Sequence, residues 1–248
     1  MKKLLTMRSK FFLYHLLISF LFAFLILLWL FFVWYPQPLA KAVGVIHIFI
    51  MLIVIDVILG PSLSFFVYKE AKKTLKFDLA VIILIQILAL GYGLYSIAQG
   101  RPAWLVYNVD RFELVRNNEI TDTNLQITKP QFRYPSWFNP QFAAVEIPKN
   151  KEERSKSMFE EIFSGISSAQ RPELYIDLIQ VKSLMQHKVQ NLKELEKFNS
   201  KRDVENILRK YPEANAWVPL KANAVDMVVL MDKNSAQVVK IVDLRPWK

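Results

Sequence analysis

Apolar and polar positions are unevenly distributed along this chain. Phe11 to Trp34, about Val43 to Val67, and about Leu79 to Ala98 are nearly unbroken apolar runs, whereas charge and short hydrophobic patches alternate beyond them. Wound as helices at about 1.5 Å per residue, runs of this length match or exceed the ~30 Å hydrocarbon core of a bilayer. Uninterrupted apolarity over such a length predicts transmembrane helices in preference to buried soluble ones. The expected organisation is a membrane domain at 1–98, with spans near 11–34, 43–67 and 79–98, followed by a soluble domain at 99–248.

The soluble part carries mixed periodicities. Trp104 to Val115 is rich in β-branched and aromatic residues and predicts a strand, ended by a turn at Asn117-Asn118. Residues 128–149 hold Pro130, Pro135, Pro140 and Pro148 among aromatics, which predicts an irregular but ordered loop or edge. Lys151–Ser164 predicts a helix with a face through Met158, Ile162 and Phe163, stopped at Gly165. Pro172 is expected to open a helical segment running through Leu184, Met185, Val189, Leu192 and Leu195, and Ser200 with Asp203 to cap a short helix ending near Lys210. Two apolar runs, 225–231 and 237–244, flank Asp232-Lys-Asn-Ser-Ala236 and predict a hairpin. The expected fold class is therefore membrane α-helical, with three transmembrane helices, plus a C-terminal α+β domain built on a small sheet.

Charge gives the helices a direction. The chain has 248 residues, 53% hydrophobic and 22% charged, with a formal net charge of +10. Residues 1–98 carry nine Lys/Arg against three acids. Lys2, Lys3, Arg8 and Lys10 precede the first run and Lys69, Lys72, Lys73 and Lys76 separate the second from the third, whereas Tyr35 to Ala42 offers only Lys41. Retained loops accumulate Lys and Arg, so both clusters are expected in the cytoplasm and residues 99–248 outside it. The basic balance thus has a topological meaning and calls for no nucleic acid. Trp34, Tyr35, Tyr95 and Trp104 suit an outer aromatic belt. A cleaved signal peptide ending at Ala40-Lys41-Ala42 is the rival reading, but the first run is too long for the usual apolar region of such a signal.

Polar residues inside the runs are the first candidates for a site. Asp56 stands mid-way along the second run, where a carboxyl group is costly and is expected to face other helices, paired within the chain or with a partner. Gln86 in the third run could bond it or serve as interhelical glue. Gly60-Pro61 should kink the second run, and carbonyls freed there need a donor. Gly60 lies one turn beyond Asp56 on the same face and permits close helix approach, as do Ala89 and Gly93 on the third run. His15 and His47 sit near opposite ends of their runs and need not share a site.

Catalytic chemistry finds little material. There is no cysteine, so thiolate catalysis, disulfides and Cys-based metal sites are excluded. The soluble part has a single histidine, His187, and no GxSxG, GxGxxG or phosphate-binding loop. Glu152/Glu153 and Glu160/Glu161 read as solvated helix faces. No cofactor or metal site is expected. A membrane-bound enzyme using carboxylates on a lipid-linked or cell-wall substrate stays open as the alternative function.

Several motifs carry a resemblance. Asp56-Val-Ile-Leu-Gly-Pro61, Leu75-Lys-Phe-Asp-Leu79, Gln86 followed by Ala89-Leu-Gly-Tyr-Gly93, Arg101-Pro102, Val109-Asp-Arg-Phe112 and the closing Val242-Asp-Leu-Arg-Pro-Trp247 together resemble the TfpX/TfpZ type IV pilin accessory proteins. The resemblance spans nearly the whole chain. It implies a non-enzymatic, multi-pass factor of the bacterial inner membrane, with a cytoplasmic N-terminus and a periplasmic C-terminal domain. Such a factor binds the major type IV pilin, chaperone-like, and modulates its stability or assembly. The family supplies no active site to carry over. On this reading Asp56, Gly60, Gln86 and Trp137 are the candidate partner-binding residues, Trp137 standing for the aromatic-proline segment that could meet a pilin head. Pro61, Arg101, Pro102, Asp110, Arg111 and Phe112 are the candidates for a structural junction between membrane and domain.

Overall fold

The computed structural model describes residues 6–148 and 150–248, so Lys2 and Lys3 of the N-terminal basic cluster lie outside the described residues. The chain forms two compact units, Met1–Val33 with Val45–Gln99, and Trp34–Gly44 with Gly100–Lys248.

The first unit holds three helices long and apolar enough to cross a membrane, Met7–Trp34, Ile46–Val67 and Leu75–Gln99. The first is started by Thr6, whose side chain accepts from the Ser9 amide at 3.2 Å, a hydroxyl cap. The second helix packs against both of the others. Large apolar side chains such as Leu17, Phe20, Phe66, Ile85 and Leu88 remain exposed on them. A helix that is hydrophobic all round, with most of its surface uncovered by protein, is the pattern of a lipid-facing span.

The second unit is organised by a seven-stranded sheet. Its strands are β1 Pro102–Asn108, β2 Arg111–Arg116, β3 Gln141–Val145, β4 Tyr175–Ile176, β5 Ala216–Lys221, β6 Met227–Asp232 and β7 Gln237–Val242. They lie in the order β4-β3-β1-β2-β5-β6-β7. The β1/β3 and β2/β5 pairs are parallel and the other pairs antiparallel.

Both faces of the sheet are covered. One face presents Leu105, Tyr107, Leu114, Val218, Leu220, Val229 and Met231 to a single core. The other splits into a cluster around Trp104, Phe132 and Tyr175 and a cluster around Trp217, Leu195 and Val204. Double coverage explains why the β6 sequence runs apolar without alternation.

The segment Trp34–Gly44, which connects the first two long helices, belongs to this unit. Leu39 and Ala42 are part of the core under the sheet, and Tyr35 and Ala40 are fully buried. The Ala42 carbonyl accepts from the Ala224 and Val225 amides at 2.9 and 3.1 Å. Gly44 follows at φ +74°, in the left-handed region that glycine adopts without strain, and a Cβ there would sit 2.9 Å from the Ala224 Cβ. The short connection between the first two spans is thus a structural element of the folded domain.

Other elements depart from the sequence expectation for identifiable reasons. The extended stretch 104–115 is broken into a hairpin at Val109-Asp110, with Val109 at φ 57°, a conformation that a β-branched residue seldom adopts. The region 128–149 contains a full strand, β3, whose partners lie far away in sequence. The expected long helix after Pro172 is instead two short 3-10 turns, the β4 strand, the helix Lys182–Lys188 and a further 3-10 turn. It breaks at Gln190, whose backbone exchanges hydrogen bonds with Trp217 at 2.8 and 3.0 Å. The helix Lys151–Ser164 forms and stops at Gly165 (φ +67°), but its apolar face is exposed, Phe163 by 85%.

The predicted C-terminal hairpin forms as β6 and β7. Its turn is held by the Asp232 carboxylate, which accepts from the Ser235 hydroxyl at 2.7 Å and from Asn215 Nδ2 at 2.8 Å. Those bonds and the neighbouring backbone amides pull its pKa down to about 2.

Candidate functional site

The second long helix changes winding at its centre. Val54–Leu59 forms a π-helical turn, and the Gly60 amide bonds back five residues to the Ile55 carbonyl. The next bond in that register would run from residue 61 to the Asp56 carbonyl. Pro61 has no N–H to make it. The missing donor comes from the third helix, where Gln86 Nε2 donates to the Asp56 carbonyl at 3.0 Å.

Gly60 makes room for that crossing. A Cβ at residue 60 would stand 1.8 Å from Gln86 Nε2. Gly93 serves a similar close approach, since a Cβ there would lie 2.5 Å from Leu52 Cδ1. We expect Gly60→Ala to expel the Gln86 amide and leave the Asp56 carbonyl without a donor, costing about 1–2 kcal/mol of bundle stability. Gly91 has open space around it, so Gly91→Ala is the control. Denaturation of the detergent-solubilised protein checks the difference, and equal stabilities would refute this role for Gly60.

Asp56 itself faces elsewhere. Its side chain lines a cleft of about 550 Å³ between the first and third helices, and it is the single residue of the second helix on that lining. The walls are Phe11, Ile18 and Phe22 on one side and Ile83, Ile87 and Leu90 on the other, with His15 and Ser19 adding polarity. Asp56 is only 7% exposed, and neither carboxyl oxygen has a hydrogen-bond partner among the described residues. His15 Nδ1 is 2.9 Å from the Ser64 hydroxyl, so this histidine is tied to the second helix at one rim. Among the described residues no second acid lines the cleft, and none form a cluster of His, Asp and Glu able to hold a metal.

A second constellation lies where the chain joins the sheet unit. Trp34 Nε1 donates to the Trp137 carbonyl at 2.7 Å, and the two indoles are 5.9 Å apart. The Arg101 guanidinium sits 4.6 Å over the Trp137 ring, a cation–π contact. Arg101 is buried, which pushes its pKa down, while the nearby Tyr35 pulls the other way. Burial likewise raises the Tyr35 hydroxyl, opposed by Arg101 and Arg116. Trp137 keeps 62% of its surface exposed beyond these contacts.

The named candidates therefore separate. Gly60, Pro61 and Gln86 serve one another inside the helical unit, and Asp56 is left facing the cleft. Arg101, over the Trp137 ring, immediately precedes Pro102, the first residue of β1. Asp110 and Arg111 are not brought to that place: they form the tip of the β1–β2 hairpin, about 20 Å along an extended strand from Pro102. There Arg111 Nε donates to Asp110 at 2.8 Å and its guanidinium lies 5.8 Å from the Trp247 ring. Phe112 is wholly buried against Tyr107 and Phe142. The first-helix wall from Phe11 to Phe22 escaped sequence reasoning because a run that is apolar on every side has no periodicity to distinguish the cleft face.

Comparison with known proteins places these features in a lineage. A family model described as Fimbrial assembly protein FimB matches residues 3–44, the first helix together with the segment that enters the sheet core. The chain is similar to the fimbrial assembly protein, serogroup E1, of Dichelobacter nodosus, with 32% identity over 231 residues and 89% of each chain covered. It is equally similar to the serogroup I protein of that organism, at 32% over 231 residues and 89% of each. The protein of serogroups C1 and C2 shares 37% over 109 residues, 43% of this chain and 82% of that one. No solved structure matches. Because that likeness runs through both the helical unit and the sheet unit, the chain belongs to the fimbrial assembly protein family.

Proposed function

We infer that this protein is an accessory factor for type IV pilus biogenesis, of the TfpX/TfpZ kind, held in the inner membrane by three spans. It binds the major pilin and modulates its stability or assembly without catalysing a reaction. The observation that carries this reading is the near full-length likeness to proteins named for fimbrial assembly. A pilin awaiting assembly presents an apolar helix in the bilayer and a head outside it, and a helical unit with a folded outer domain offers a surface to each.

The basic residues Arg8, Lys10, Lys69, Lys72, Lys73 and Lys76 favour a cytoplasmic N-terminus and a cytoplasmic second loop. Both the first loop, Trp34–Gly44, and the C-terminal domain then lie in the periplasm. That they fold into one unit supports their sharing a side.

The test is a chromosomal deletion in a piliated strain together with purification of the tagged full-length chain in mild detergent. Lower pilin levels or altered piliation, with the major pilin retained on the tagged chain, is the expected result. Unchanged pilin, unchanged pili and no retained pilin would sink the reading.

A further inference from the structure

The helical unit is built as though one helix were missing from it. The first and third helices each lean on the second, and the cleft between them is walled by apolar side chains. Asp56 alone reaches its floor from the second helix. In Ile46–Val67 it has ten residues before it and eleven after, so it sits at the centre of that span.

A carboxyl group at that depth finds no water to bond, and neither His15 nor Ser19 on the largely apolar walls hydrogen-bonds its oxygens. Gln86, the polar neighbour on the third helix, donates to the Asp56 carbonyl and not to either carboxyl oxygen. Asp56 holds two buried oxygens with no partner among the described residues. A lipid chain would cover the walls but bring no donor to the floor. An apolar helix laid in the groove, with one donor group part-way along it, would satisfy both.

We propose that the cleft is the seat of a fourth transmembrane helix supplied by another protein, and that Asp56 recognises a hydrogen-bond donor on that helix. The donor is an amine, a hydroxyl or an amide N–H, carried near mid-membrane depth. This rests on the reading that the chain handles a membrane-resident pilin, and it deepens that reading by naming the seat and the chemistry of recognition. Gln86 lines the cleft beside Asp56 with its side chain bonded to the Asp56 carbonyl, and Gly60 makes room for it. Packing a helix ridge into such a groove supplies the remaining attraction.

The test is photocrosslinking of the full-length chain in native membranes that contain the pilin. Photoreactive residues at Phe22 and Ile87 face the cleft, whereas one at Ile85 is exposed and absent from its lining. Capture of the pilin at Phe22 and Ile87 but not at Ile85 is expected. Asp56→Leu should lower that capture about tenfold, the ratio equivalent to one lost hydrogen bond of ordinary strength. Asp56→Asn, whose amide oxygen still accepts, should retain most of it. Protease resistance of the C-terminal domain verifies that each variant is folded.

Undiminished capture with folded Asp56→Leu would overturn recognition by the carboxyl group and leave the pilin-binding function standing. Capture of a second copy of this chain at Phe22 and Ile87 in place of the pilin would overturn the proposed occupant. Pilin captured at Ile85 as strongly as at Ile87 would remove the cleft as its seat. Absence of the pilin from every position, with none retained on the purified chain, would end both proposals.

Discussion

A fragment beginning at Gly100 should fold less stably than the same residues in the whole chain, because part of the core comes from Trp34–Gly44. Leu39 is 3% exposed and packs in the cluster with Leu105, Val218 and Met227, and Ala42 lies beside it. Leu39→Ala in the full-length protein should cost about 2–5 kcal/mol, the range for a buried leucine whose cavity closes incompletely. The fragment forfeits Leu39 together with the buried Tyr35, Ala40 and Ala42, and with the two backbone bonds to the Ala42 carbonyl. Its unfolding should therefore begin earlier in temperature and denaturant than that of the domain in the whole chain, followed by tryptophan fluorescence. The salt bridge from Lys41 to Asp243 at 2.6 Å joins two half-exposed side chains and should matter little by comparison. Equal stability of fragment and whole chain would show that the segment rests on the domain without supporting it.

Trp104→Ala should have a comparable or larger effect, about 3–5 kcal/mol. This side chain is 1% exposed and meets Phe132 and Tyr175 edge to face, with ring centroids 5.8 and 5.4 Å away. Phe132 and Tyr175 complete the triangle at 5.8 Å. The triangle joins β1 to the proline-rich segment carrying Trp137 and to β4, so its loss loosens three elements at once. The indole Nε1 of Trp104 is buried without an acceptor among the described residues. Phenylalanine would remove that unpaired donor, whose burial costs about 1–3 kcal/mol, and keep a ring in place. Trp104→Phe should therefore cost much less than Trp104→Ala. Chemical unfolding of both variants checks the ordering. Equal losses would mean that a phenyl ring restores nothing there and that the indole itself is required.

Both features of the π-turn were legible one at a time. Gly60-Pro61 announces a freed carbonyl, and Gln86 announces a polar side chain at matching depth on another helix. Their union was not legible, since the sequence pairs Gln86 as readily with the Asp56 carboxyl group as with its carbonyl. The choice depends on winding. A π-turn rotates the unbonded carbonyl toward the third helix and leaves the carboxyl group facing the cleft.

In the sheet unit, the legible parts are those made by neighbours in sequence. The β6–β7 hairpin, the Ser200 cap on Lys201–Leu208 and the stop at Gly165 each depend on a few adjacent residues. The strands that escaped are β3 and β5, whose parallel partners are distant in sequence, and β4, whose antiparallel partner β3 is distant too. β5 also carries Pro219, which reads against a central strand. It is tolerated because the β2–β5 ladder pairs only Phe112 with Leu220 and Glu113 with Lys221, beyond the proline.

The long apolar helices, the loops that carry positive charge and the turn of the β6–β7 hairpin were thus readable from the sequence. Those properties follow from local composition, and local composition is complete in the chain as written. Tertiary structure alone decided that Trp34–Gly44 belongs to the sheet unit, that Gln86 completes the backbone at Pro61, and that Asp56 faces an apolar cleft with its oxygens unpaired. Each of these depends on which of many compatible surfaces meet, and burial, close helix approach and hydrogen-bond satisfaction select among them only when the whole chain is packed.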